Sequence, residues 1–191
     1  YFKGKYIFSK MVWQRNRWGI SSNDYLYFTK SVMKTSQIGI NLIKHFEGLH
    51  DGDLKEIGLQ PKKCPAGIWT QGYGSAMRDK NGNFLKGNVM PNVTISENEA
   101  EQLLAKDLEV FENIVMRKVK VFLSQNKFDA LVSHTYNTGG SDTLFKLVNQ
   151  NAPDEQIRKW FTTKYITGSG KRLQGLVNRR NAEAKLYFHE I

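Results

Sequence analysis

Cysteine is almost missing from this chain of 191 residues, and the one thiol, Cys64, cannot form an internal disulfide. The fold must therefore hold by packing alone. A single domain of this length buries roughly 70% of its unfolded surface and needs no covalent staple. Histidine is scarce too, with four copies, and no Cys or His pair has the spacing of a zinc site, so no metal and no other cofactor is expected. No apolar run reaches the roughly 18 residues that span a bilayer. The basic N-terminus also lacks the apolar stretch of a secretory signal, which makes the chain cytoplasmic on synthesis by expectation.

Acids are outnumbered, 18 against 28 cations, for a formal charge of +10. Such a balance favours anionic partners: nucleic acid, acidic wall polymers or lipid headgroups. No recognised nucleic-acid-binding motif accompanies it, so nucleic acid is not the expected partner. Residues 1–32 carry half of the net charge, six cations against the single acid Asp24, together with nine aromatics that follow no clear period. The segment reads as a basic, aromatic-rich arm for a wall or membrane surface, or as one not native to the domain that follows. The second is favoured, because Met33 directly precedes the first well-patterned helix. The domain expected is therefore 33–191.

From Met33 the signals become orderly. Thr35 or Ser36 caps a helix with Ile38, Leu42, Ile43 and Phe46 on one stripe and Gly48 as its stop. Residues 49–95 are rich in Gly, Asn and Pro, with short strand candidates at 68–73, 83–85 and 92–95 and an Asn81-Gly82 turn. Ser96-Glu97-Asn98-Glu99 is a capping box for a helix running to about Val119. Further helices are predicted from Ser124 to Asn137, from Ser141 to Gln150, after Pro153, and from Gly175 to Phe188. The sum is α+β: a small β-containing lobe beside a larger helical lobe.

Among residues with chemistry, Glu47 stands at the C-terminal end of the first helix. The dipole is negative there and carbonyls crowd, which together with any burial disfavours a carboxylate. A carboxyl that keeps its proton is what a general acid for glycoside cleavage needs, although most glutamates at helix ends are simply solvated. Gly67, Gly72 and Gly74 remove side chains where a polymer would approach backbone. Trp69 and Tyr73 offer ring faces for sugars, or else belong to the core. Arg179 and Arg180 read as ligands for wall carboxylates, or as a solvated helix face.

Glu47-Gly48, then Cys64-Pro65-Ala66-Gly67, then Thr70-Gln71-Gly72-Tyr73-Gly74 resembles the phage-type lysozymes, or endolysins. The resemblance continues through Asn126-Lys127-Phe128-Asp129-Ala130-Leu131-Val132-Ser133, Asn137-Thr138-Gly139 and Gly175-Leu176-Val177-Asn178-Arg179-Arg180-Asn181-Ala182-Glu183, covering about residues 35–190 in order. It implies a lysozyme-like fold with the cleft between the two lobes, and hydrolysis of the β-1,4 bond between N-acetylmuramic acid and N-acetylglucosamine in peptidoglycan. By the same resemblance Glu47 protonates the leaving oxygen, and Thr70 holds a water on the opposite face of the sugar. Trp69, Gly72, Tyr73, Asn137 and Arg179 would contact substrate. A monomer is implied, acting on the wall after release through a partner pore of the holin type.

Two departures stand out. The second active-site position, usually Asp, is Cys64. A free thiol has a pKa of about 8.5 and is mostly neutral at pH 7, so the two-carboxylate scheme is altered. The family is known to carry cysteine here. The stretch 49–63 is also longer than usual, and Asp53 within it is the candidate to restore a carboxylate. Ser75 stands where many relatives have His. The rival readings are a catalytically silent wall-binding relative, and a cysteine peptidase using Cys64 with His45, His50, His134 or His189 as base.

Overall fold

The computed structural model describes residues 33–52 and 57–189. The expectation for residues 1–32 therefore lies outside the described residues, as does Asp53. In chain order come α1 (Gln37–Glu47), β1 (Lys62–Lys63), β2 (Trp69–Gln71), β3 (Ser75–Ala76) and α2 (Glu97–Lys118). They are followed by α3 (Gln125–Thr138), α4 (Asp142–Asn149), α5 (Asp154–Thr163), β4 (Thr167–Gly168), β5 (Lys171–Arg172) and α6 (Gln174–Tyr187). The architecture is α+β with a helical majority, as the sequence predicts.

Capping explains the helix starts. Ser96 accepts from the Glu99 N–H at 3.3 Å, while its own N–H donates to the Glu99 carboxylate at 2.8 Å, closing the capping box of α2. The N-terminus of α1 is wired into the helical lobe by two buried carboxylates. Thr35 donates its N–H and its hydroxyl to Glu112 at 2.7 and 2.8 Å, and Ser36 donates its N–H and hydroxyl to Asp129. Gly48 ends α1 with φ +71°, a left-handed φ that glycine adopts without strain.

The helical core is built around α3, which packs against α1, α2 and α6. Every residue of α3 from Phe128 to Thr135 is buried, so its polar members must be satisfied internally. Asp129 accepts from Ser36 and Gln125, Ser133 donates to Glu183, and Thr135 donates back to the Leu131 carbonyl. Ile38, predicted on the inward stripe, is instead 56% exposed. Gly39 takes the inward place, because a Cβ there would stand 2.8 Å from the Asp129 Cβ.

The small lobe holds a three-stranded antiparallel sheet in the order β1-β2-β3, with Lys62 opposite Thr70 and Thr70 opposite Ala76. The predicted strand at 68–73 forms, trimmed to β2. The candidates at 83–85 and 92–95 form single bridges only: Phe84 to Arg78 and Ile95 to Leu59. The Asn81-Gly82 turn is present, with Asp79 accepting from the Asn81 and Asn83 N–H groups. The β4–β5 hairpin was not foreseen. Its two-residue loop, Ser169 and Gly170, has both φ angles positive, the conformation that tight hairpins require.

Candidate active site

Glu47 is the last residue of α1, and its carboxyl lies where the helical lobe meets the sheet. From α6, the Arg179 guanidinium reaches it with Nη1 2.5 Å from Oε1. The same guanidinium donates from Nε to Glu183 at 3.2 Å and from Nη2 to the Ser133 carbonyl at 3.4 Å. Arg180 donates to Glu183 at 2.9 Å and to the side-chain amide oxygen of Asn137 (Oδ1) at 3.0 Å. A buried carboxylate thus serves two buried cations, one of which ends on Glu47 and the other on Asn137. Pairing of this kind is what makes burial of three charges tolerable.

The expectation for Glu47 considered the helix end and burial, both of which oppose charge. Neither includes the Arg179 guanidinium, which faces the carboxyl directly. Arg179 itself is 3% exposed. It has no free face for a wall carboxylate, which corrects its predicted role as a substrate ligand.

A groove of about 490 Å³ opens beside this pair, lined by Glu47, Gly74, Arg78, Asp107, Tyr136 and Asn137 among others. Tyr136 ties the lobes together, donating its hydroxyl to the Tyr73 carbonyl at 3.2 Å. Burial, with the negative charges of Glu47 and Asp107, pushes its phenol above the usual range, so it stays a donor at any pH of interest. Asn137, predicted at the site, is exposed at the groove.

Thr70 is buried on β2. It donates its hydroxyl to the Lys62 carbonyl at 2.8 Å, and its oxygen lies 3.0 Å from His50 Nδ1. His50 in turn sits beside Gly74, a residue that lines the groove. A Cβ on Gly74 would stand 3.8 Å from His50 Cε1 and 4.0 Å from Glu47 Oε2. In the sequence His50 is a candidate only as a peptidase base. A signal was available: it lies three residues past Glu47, where the chain must leave the helix towards the sheet.

Cys64 occupies the hairpin turn between β1 and β2 and is partly exposed. Its N–H donates to the Ile68 carbonyl, and its own carbonyl accepts from the Gly67 N–H, both at 2.9 Å. The Cys64–Ile68 bond falls one strand period from the Lys62–Thr70 pair, so Cys64 follows the face of Thr70. Three other expectations need correction. Trp69 and Tyr73 are 8% and 4% exposed, so neither gives a ring face to a ligand. Lys63 covers Trp69, Lys44 lies over Tyr73, and the Tyr73 hydroxyl donates to Glu97. At Gly72 a Cβ would stand 2.7 Å from that of Ala100, so its bare Cα serves the packing of sheet on α2 rather than a polymer. Among the described residues, no group of three or more His, Cys, Asp or Glu is arranged to hold a metal ion.

The family model described as phage lysozyme matches residues 44–183. The endolysin of Bacillus phage PZA is 35% identical over 159 residues, which are 81% of this chain and 55% of that protein. The endolysin of Acyrthosiphon pisum secondary endosymbiont phage 1 is 32% identical over 162 residues, 81% of this chain and 98% of that one. Among solved structures, the endolysin from Escherichia coli O157:H7 phage FAHEc1 superposes with a TM-score of 0.66 at 33% identity, covering 84% of this chain and 96% of its own. The chain spans about half the length of the Bacillus phage endolysins it matches.

Proposed function

Because this chain belongs to the phage lysozyme family, we propose that it is a muramidase, hydrolysing the β-1,4 bond between N-acetylmuramic acid and N-acetylglucosamine in bacterial peptidoglycan. Glu47 is the general acid that protonates the leaving oxygen, and Thr70 helps to hold the attacking water on the far face of the sugar. What chiefly supports this reading is the Glu47 carboxyl, held by Arg179 in the wall of a groove between the lobes, with its second oxygen beside Gly74. Arg179 fixes the direction of the carboxyl, which matters because proton transfer needs hydrogen-bond reach.

Residues 33–191 make up the catalytic unit, and residues 1–32 are a separate basic segment. The unit works as a monomer on the wall after release through a holin-type pore. Among the described residues no helix is long and apolar enough to cross a membrane. The peptidase alternative finds little support, because two of its candidate bases are packed against aromatic rings. His134 is enclosed by Trp160, Phe161 and Tyr165, and His45 packs on Phe46.

Reducing-sugar release from purified peptidoglycan tests the proposal. Glu47→Gln keeps the size and loses only the transferable proton, so it is expected to abolish turnover with the fold intact. A Glu47→Gln protein that releases sugar at the wild-type rate ends the proposal, and a wild type that binds the wall without cleaving it favours the silent relative.

A further inference from the structure

His50 has left α1, and its backbone is caught against the sheet, the N–H donating to the Gly72 carbonyl at 2.7 Å. This contact sets the imidazole over β2, with Nδ1 3.0 Å from the Thr70 hydroxyl oxygen. Counting hydrogens fixes the tautomer. Thr70 has one hydroxyl hydrogen and directs it at the Lys62 carbonyl, a partner that only accepts. The Thr70 oxygen is left to accept from His50, so Nδ1 carries the ring hydrogen. In the neutral ring Nε2 is then the bare, basic nitrogen.

The ring lies next to Gly74, which lines the groove together with Glu47. Cε1, the carbon between the two ring nitrogens, and Glu47 Oε2 lie 3.8 and 4.0 Å from the position a Cβ on Gly74 would take. The two groups are near enough to act on one substrate. Burial and the positive charge of Lys62 lower the His50 pKa below the ordinary 6.5, against the pull of Glu47, so the neutral ring prevails at neutral pH. Lys62 from β1 and Glu47 from α1 are the charged groups that act on it. The position that would carry a second carboxylate holds instead the thiol of Cys64, a weaker proton acceptor in its neutral form.

Building on the glycosidase reading of this cleft, we propose that His50 Nε2 is the general base of the reaction and Thr70 the group that anchors its ring. As the water oxygen bonds to the anomeric carbon, one water hydrogen passes to Nε2. The bond from that carbon to the leaving sugar breaks, and the leaving oxygen takes the proton of Glu47. The imidazolium then releases its proton to solvent, and Glu47 regains one. Attack from the face opposite the acid inverts the anomeric centre.

The test measures turnover of purified peptidoglycan across pH by wild type, His50→Asn, His50→Ala and Glu47→Gln. Asparagine keeps an N–H for Thr70 but has no basic nitrogen, so an anchoring role alone survives in it. His50→Asn is expected to lose on the order of 10²-fold in kcat with little change in KM. It should also lose the acid limb of the kcat profile, whose midpoint in the wild type lies below 6.5. Imidazole added to His50→Ala should restore part of the rate. NMR of freshly released product should show the inverted anomer.

A retained anomer, or wild-type kcat with an unchanged acid limb in His50→Asn while Glu47→Gln is inactive, overturns the assignment. A fully active Glu47→Gln removes the cleft reading, and this one with it. If either His50 variant fails to fold by circular dichroism, the wild-type acid limb and the product anomer decide, since neither depends on a variant.

Discussion

Arg179 and Cys64 are opposite kinds of residue, one held by its side chain and the other by its backbone. Arg179→Met leaves Glu47 without its partner and takes one of two cations from buried Glu183. Unpairing a buried charge costs about 3 kcal/mol, roughly 6–12 °C in Tm for a chain of this size. A thermal melt should show that drop, with kcat falling as well. Arg179→Lys should recover little, because one ammonium cannot bond Glu47, Glu183 and the Ser133 carbonyl from a single fork. At Cys64 the recorded bonds are made by the main chain, so Cys64→Ala should fold normally and keep most of the turnover that Glu47→Gln loses. Cys64→Asp is expected to match or exceed wild type in sugar release, since it restores the second carboxylate of the two-carboxylate scheme.

The elements that frame the groove are fixed by close backbone approaches. Gly72 combines φ +57° with contact to Ala100 at the start of α2. Gly72→Ala meets both a left-handed strain and a clash, for a destabilisation of about 2–3 kcal/mol, which would appear as a lower urea midpoint. Gly48→Ala meets nothing within 4 Å, but φ +71° with ψ 160° is a pair that essentially only glycine adopts, so strain alone should cost about 1–3 kcal/mol. A larger loss at Gly48 than at Gly72 would mean that strain, not packing, governs where sheet meets helix. At its other end α1 is latched to α2 and α3 by Thr35–Glu112 and Ser36–Asp129, so a shift of either helix moves Glu47.

For the molecule as a whole, the most telling titration is that of His134, which burial and two nearby arginines bring down to about 3. The unfolded chain takes that proton near 6.5, so between the two values it binds more protons than the folded one. Stability from this group is present above 6.5 and is lost as pH falls towards 3, by up to about 5 kcal/mol. Asp129, raised by burial, acts in the reverse sense, so the measurement is the difference between wild type and His134→Phe in chemical denaturation at several pH values. The variant should show a flatter acid limb. Deleting residues 1–32 should leave sugar release intact, because the α1 anchors begin at Thr35. A truncated chain that folds but no longer cleaves peptidoglycan would show that the catalytic unit begins earlier.

Much of this was legible in the chain before any coordinates. Ser36, Gly48, the Ser96–Glu99 box and Ser141 mark helix ends because caps act through neighbours a few residues away, and α1, α2 and α4 begin or end where they say. The ordered motifs from Glu47 to Glu183 carried the family and hence the two-lobed fold. Local pattern does not report which side of a helix meets another, so Ile38 turned outward and Arg179 and Arg180 turned inward. Aromatic and glycine positions were ambiguous for the same reason: Trp69, Gly72 and Tyr73 are compatible with a sugar site or a core, and packing against Lys63, Ala100 and Lys44 chose the core. Sequence alone determined most helix boundaries and singled out Glu47 as the proposed acid, because these depend on spacing along one chain. The ion pair of Arg179 with Glu47 and the hydrogen bond of His50 with Thr70 join residues 132 and 20 positions apart. Only tertiary folding brings such distant partners within bonding distance, and so only the structure decided the electrostatics of the cleft.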